Sequence, residues 1–194
     1  MTKIIGLTGG IGSGKTMIAN YIKSQGFPVY IADDEARNLM KSEGVINEIR
    51  SVFGAKVFDK GILNREKLAL IVFNNPEDLK KLNHIIHPLV KKHFDEWVQL
   101  HKNYAFVIKE SAILFESESS KCCDKIITVV ASLETRIQRL IKRDKTSNDD
   151  ILNRMKNQWT DEERAIKSDY IIHNDSVKET QKQTNEILKS LEKL

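Results

Sequence analysis

Eight residues near the N-terminus, Gly9-Gly10-Ile11-Gly12-Ser13-Gly14-Lys15-Thr16, constrain this chain more than any others. They match the spacing G-x-x-x-x-G-K-[ST] without departure. Ahead of them, Lys3 to Thr8 is a short apolar run suited to a buried parallel strand. Behind them, Lys15 to Gln25 places Ile18, Ala19 and Ile22 on one helical face, and Gly26 stands past the end as a C-cap. Phe27 to Ala32 reads as a second strand. Strand, glycine-rich turn, helix and strand make one βαβ unit, which predicts a parallel sheet covered by helices.

The turn also dictates a chemistry. Glycines let successive backbone N–H groups curve around phosphate oxygens, and the helix start adds the positive end of its dipole. Lys15 can reach the β- and γ-phosphates as a point charge, and the Thr16 hydroxyl can ligate Mg²⁺. Gly9, Gly10, Ile11, Gly12, Ser13, Gly14, Lys15, Thr16 and Met17 are therefore the candidate nucleotide-binding set. The chain has no Asn-Lys-x-Asp element for guanine and no Leu-Ser-Gly-Gly-Gln signature. Its size, a helical stretch and a basic segment favour a small-molecule kinase.

Composition narrows the field further. The 194 residues suit one domain, or a core with one insertion, and the net charge of +4 suits an anionic ligand without arguing for nucleic acid. No basic block interleaves with aromatics, so no nucleic-acid partner is expected. No apolar run approaches the roughly 20 residues that span a bilayer, so no membrane partner is expected. The N-terminal run lacks the cleavage site of a signal peptide. The only cysteines, Cys122 and Cys123, are adjacent and form no disulfide framework. The default is a reducing, cytoplasmic setting.

From about Asp34 to Leu100 the pattern is mostly helical, interrupted by turn signals at Gly44, Asp59-Lys60-Gly61 and Asn74-Asn75-Pro76. This stretch looks like an insertion in an α/β core. Strands are expected at Asn103–Ile108, Lys125–Ala131 and Asp169–Asn174, and helices at Ser132–Lys142 and Val177–Leu194. Lys145 to Lys167 is polar with few apolar anchors.

Several residues have two readings. Asp33, just past the second strand, can take a proton from an acceptor hydroxyl, hold Mg²⁺ through water, or cap the next helix. Arg136, Arg139 and Arg143 share one helical face, and Arg154 and Arg164 follow; they either form a closing lid over transferring charge or a solvated face. Glu110 and Glu116 lie at and beyond the third strand, as outer metal contacts or surface carboxylates. His87, before Pro88, is structural or a substrate contact. Trp97 and Trp159 read as packing residues.

Together these segments resemble the dephospho-CoA kinase family. The resemblance is carried by Ile5 to Thr16, by Ala32-Asp33 with Ala36-Arg37, by Gly61-x-x-x-Arg65-x-x-Leu68 with Val72-Phe73, and by Ile85-Ile86-His87-Pro88-Leu89-Val90. Ile113-Leu114-Phe115-Glu116, Arg139, Arg143, Gln158 and Asp169-Tyr170-Ile171-Ile172-x-Asn174 complete it. Two positions depart from the family pattern: Ile31 stands where its first aspartate would be, and Ala112 where its proline would be. The resemblance implies an α/β, three-layer P-loop core with a parallel sheet, a helical acceptor-binding insertion at about 41–100 and a helical lid at about 143–167. It implies ATP as donor and the ribose 3′-hydroxyl of dephospho-CoA as acceptor. Asp33 would be the general base. Arg37, His87 and Glu116 would lie on the acceptor side, Arg139 and Arg143 on the donor or lid side, and Asn174 near the adenine. The alternative is a P-loop kinase for a nucleoside or nucleotide.

Overall fold

In chain order the computed structural model runs β1 (Lys3–Gly9), α1 (Lys15–Ser24), β2 (Val29–Ile31), α2 (Ala32–Leu39), α3 (Glu43–Phe53), β3 (Phe58–Asp59), β4 (Ile62–Leu63), α4 (Arg65–Asn74) and α5 (Pro76–Leu100). It continues with β5 (Phe106–Glu110), β6 (Lys125–Val130), α6 (Leu133–Asp144), α7 (Asn148–Lys156), α8 (Asp161–Ile166), β7 (Tyr170–His173) and α9 (Val177–Leu191). The structure describes residues 2–144, 147–156 and 158–193. Lys145, Thr146 and Asn157, from the expected lid, and Leu194, from the expected terminal helix, lie outside the described residues, as does the side chain of Phe73. The chain divides into two compact units, Met1–Ile31 with Leu100–Leu194, and Ala32–Gln99.

The first unit holds a five-stranded sheet of order β2-β5-β1-β6-β7, and every pairing is parallel. Residues alternate across it. Ile5, Leu7, Phe106, Ile108, Ile127, Val129 and Ile172 face one side, where Ile18, Ala19 and Ile22 of α1 and Ile187, Leu188 and Leu191 of α9 close over them. Each such fully buried isoleucine or leucine contributes about 1.5–3 kcal/mol. On the other side Leu114, Phe115 and Ile126 form a smaller cluster with Cys123 and Trp159. Gly6 makes that side possible: a Cβ there would lie 2.6 Å from Leu114 Cδ2. The α/β core read from the sequence is therefore present. Strand order reverses at β1, and in such sheets ligands bind beyond the strand ends at that point.

Some elements differ from expectation. The third strand begins at Phe106 and runs on to Glu110. Its last two residues, Lys109 and Glu110, are buried, and their polarity concealed them as strand. The polar stretch after α6, where the resemblance implied a helical lid, is helical as implied, with two helices among the described residues. The second opens with a capping box, in which Thr160 accepts from Glu163 N–H and the Glu163 carboxylate accepts from Thr160 N–H.

The second unit has its own core of Val45, Ile49, Phe53, Val57, Phe58, Leu68, Val72, Ile85 and Ile86. The turn read at Asp59-Lys60-Gly61 is the tip of the β3–β4 hairpin, where Lys60 and Gly61 both have positive φ, 48° and 85°. That backbone suits the twist of a two-residue hairpin. Helix α5 runs through Pro88 without ending.

Two aspartates tie the sheet's starting edge. Asp124 accepts from Ile4 N–H at 2.8 Å and from Lys3 Nζ at 3.1 Å. Asp169 accepts from Ile126 N–H at 2.8 Å and from Lys125 Nζ at 2.7 Å. Burial works to raise both carboxyls, but these hydrogen bonds outweigh it and hold both below the ordinary carboxylate range. A carboxyl lowered on folding stabilises above its unfolded pKa and loses that contribution as pH falls through the folded one. The Asp124→Asn/Asp169→Asn double variant is expected to melt below wild type at pH 7. The gap should close as pH falls below about 4, the unfolded carboxylate range. Thermal melts across pH check this.

Candidate active site

The turn between β1 and α1 is shaped by side chains that hold its carbonyls. Arg136 Nε donates to Ile11 O at 2.9 Å. Arg139 Nη1 donates to Ser13 O at 3.2 Å, and Asn174 Nδ2 reaches the same oxygen at 2.7 Å. Lys15 Nζ, buried, donates to Gly9 O at 2.8 Å. A peptide group is planar and trans, so a carbonyl held on one side turns the next N–H to the other. Fixing the Ile11 and Ser13 carbonyls therefore aims the Gly12 and Gly14 N–H groups away from these side chains. Gly14, at the N-cap of α1, has φ 95°. A Cβ there would sit 2.0 Å from Asn174 Nδ2, so both its backbone and its neighbour require glycine. Thr16 and Met17 follow in the first turn of α1 and are exposed.

The expected donor-side residues separate. Arg139 lies against the loop, and its Nη2 also donates to Asn174 O at 3.0 Å. Arg143 turns instead to Asp144, which Arg154 also reaches at 3.0 Å. The hydrogen bond to Asp144 raises the Arg143 pKa, and the same bond lowers that of Asp144. Asn174 is buried, with one end of its amide on Ser13 O and the other accepting from Thr180 Oγ1 at 3.0 Å.

Glu116 is neither on the surface nor isolated. Its Oε1 accepts from Trp159 N–H and from Arg164 Nη2, both at 3.0 Å. Arg164 is fully buried, so no solvated-cation reading applies to it. Trp159 stacks on Phe115 with centroids 5.1 Å apart, a packing role as expected. Sequence reading missed Asp161 altogether and did not single out Gln158 and Arg136 for the loop. Gln158 Oε1 accepts from Ile11 N–H at 2.9 Å, and Arg136 Nη1 pairs with Asp161 at 3.0 Å. The signal available was the Thr160-x-x-Glu163 capping box, which announces a helix inside the polar stretch.

Asp33, Arg37 and His87 belong to the second unit. Helix α2 starts at Ala32, immediately after β2, so Asp33 stands in its first turn with Asp34 and Glu35, where acids complement the helix dipole. Asp33 is exposed. Arg37 pairs with Asp34 at 2.6 Å on the surface, a contact worth little in itself. His87 is exposed on α5. Both cysteines are free, and burial pushes the Cys123 thiol up to about 11, away from the reactive range.

A parallel sheet whose central strand feeds a glycine-rich turn and a helix, with a lysine folded over that turn, defines an α/β P-loop nucleotide-binding fold. Shikimate kinase from Acinetobacter baumannii, 15% identical with a TM-score of 0.54 over 98% of this chain and 93% of its own, shares the fold. The dephospho-CoA kinase family model matches residues 3–179, and the chain belongs to that family. Relatives named dephospho-CoA kinase include that of Fusobacterium nucleatum, 43% identical over 89% of this chain and 90% of its own. The Helicobacter pylori relative is 37% identical over 96% of each. Among solved structures, the Thermus thermophilus protein TT1252 superposes with a TM-score of 0.89 at 30% identity over 97% of each chain. Dephospho-CoA kinase from Campylobacter jejuni does so at 0.73 and 29%, over 100% of this chain and 98% of its own.

Replacing Gly14 with alanine forces a side chain into left-handed backbone, at about 1–2 kcal/mol, and against Asn174. Gly14→Ala is expected to melt lower than wild type and to lose most of its nucleotide affinity, as read by melting and by ATP titration.

Proposed function

We propose that this enzyme transfers the γ-phosphoryl group of ATP to the ribose 3′-hydroxyl of dephospho-CoA, giving coenzyme A and ADP. One observation supports the donor half above others: the loop's carbonyls are held from behind, which turns N–H groups at the start of α1 toward an anion. Lys15 would follow the β- and γ-phosphates, and Arg139 would add positive charge beside them. Asn174 would border the adenine side. Thr16, an exposed residue in the first turn of α1, brings a hydroxyl that fits Mg²⁺, an ion that binds through few protein ligands and takes the rest from phosphates and water. When bound, Mg²⁺ would neutralise charge on the phosphates.

On the acceptor side, Asp33 would accept the proton of the 3′-hydroxyl as its oxygen bonds to phosphorus. Arg37, His87 and Glu116 would orient the acceptor. The insertion at about 41–100 would carry most of the acceptor site, and the stretch at about 143–167, with Arg143, would close over the donor.

ADP release measured with and without dephospho-CoA tests the reading. Release should depend on dephospho-CoA; preferential turnover of a nucleoside monophosphate would assign the chain a different acceptor. Asp33→Asn tests the base. The variant should bind ATP and dephospho-CoA nearly as wild type yet turn over at least about 100-fold more slowly, the low end for loss of a general base. A helix-terminal role for Asp33 gives near-wild-type kcat instead, since asparagine serves a helix start about as well.

A further inference from the structure

A run of charged side chains joins the phosphate loop to the far side of the sheet. Arg164 is fully buried, and a buried guanidinium is costly unless paired. It meets Glu116 Oε1 at 3.0 Å, Asp161 Oδ1 at 3.6 Å and the carbonyl of Trp159. Asp161 Oδ2 takes Arg136 Nη1 at 3.0 Å, and Arg136 Nε ends the run on Ile11 O at 2.9 Å. From the same wall, Gln158 takes the Ile11 N–H at 2.9 Å. Ile11 is thus gripped at its N–H and at its carbonyl.

One observation indicates that this run serves placement. Buried ion pairs are often matched in stability by apolar residues, so stability alone does not call for this one. The motif leaves position 10 open, yet a Cβ on Gly10 would lie 2.3 Å from Arg136 Nη2. Glycine at that position admits the arginine.

We infer that Arg136, oriented by Asp161, and Gln158 are positioning residues for ATP, fixing the Ile11 peptide so that the Gly12 N–H addresses the phosphates. The inference rests on the reading of the loop as an ATP site.

Calorimetric titration of ATP and of dephospho-CoA, separately, into wild type, Arg136→Ala, Asp161→Asn and the double variant tests it. Arg136→Ala should weaken ATP binding about 10- to 100-fold, the usual scale for losing a charge-assisted hydrogen bond. Asp161→Asn should weaken it less, and the double variant no more than Arg136→Ala alone, because Asp161 acts through Arg136. Dephospho-CoA affinity should stay within about twofold of wild type, well under the tenfold of 1.4 kcal/mol. Gly10→Ala, which displaces the guanidinium while keeping its charge, should reproduce the Arg136→Ala loss and decides the matter if Arg136→Ala does not fold. Unchanged ATP affinity in the folded variants, strict additivity, or equal loss of both ligands with a lowered Tm would overturn the inference. Wild type that binds no ATP would overturn the functional reading, and this inference with it.

Discussion

A loop that presents N–H groups to a phosphate must have its carbonyls held elsewhere, and the site in this chain follows from that constraint. The motif supplies flexibility and a lysine but nothing that fixes the loop's shape. Arg136, Arg139 and Asn174 supply the shape by holding the Ile11 and Ser13 carbonyls. They stand on α6 and just beyond β7, which the parallel sheet brings to the same end as the loop. The sheet is therefore the frame on which an otherwise irregular segment acquires one conformation.

The two halves of the proposed reaction rest on different kinds of structure. The residues proposed for the donor half lie within one unit, where Lys15 and Asn174 are buried, Arg139 is half-buried and Thr16 is exposed. The acceptor-half residues Asp33, Arg37 and His87 lie on exposed faces of helices in the other unit. Exposure there suits groups that must meet a substrate and release it. Glu116 departs from this division, since its carboxylate holds Arg164 and the main chain of Trp159 in the donor-half unit.

The βαβ start was legible because Ile5, Leu7, Ile18, Ala19 and Ile22 carry both periodicities in a short span, with glycines between. The order of strands was not, since parallel pairing is set by crossovers and leaves no local mark. To hydropathy, the second helix of the polar stretch was obscured because its anchor is charged: Arg164 is buried by pairing, and hydropathy gives such a residue to solvent. Arg136 and Arg139 were visible as a stripe, but the spacing could not tell a solvated face from one bonded to carbonyls more than a hundred residues away. The particular acceptor lay beyond spacing altogether and came from family resemblance.

The loop's sequence is complete at Thr16, yet one of its carbonyls is held by Asn174, 161 positions from Ser13. A chain emerging during synthesis carries the motif early and acquires its geometry late. Any fragment ending before β7 has the letters of a phosphate site without the hydrogen bonds that shape it. The hydrogen bonds that give the loop its shape are thus complete only when the last strand of the sheet has been made.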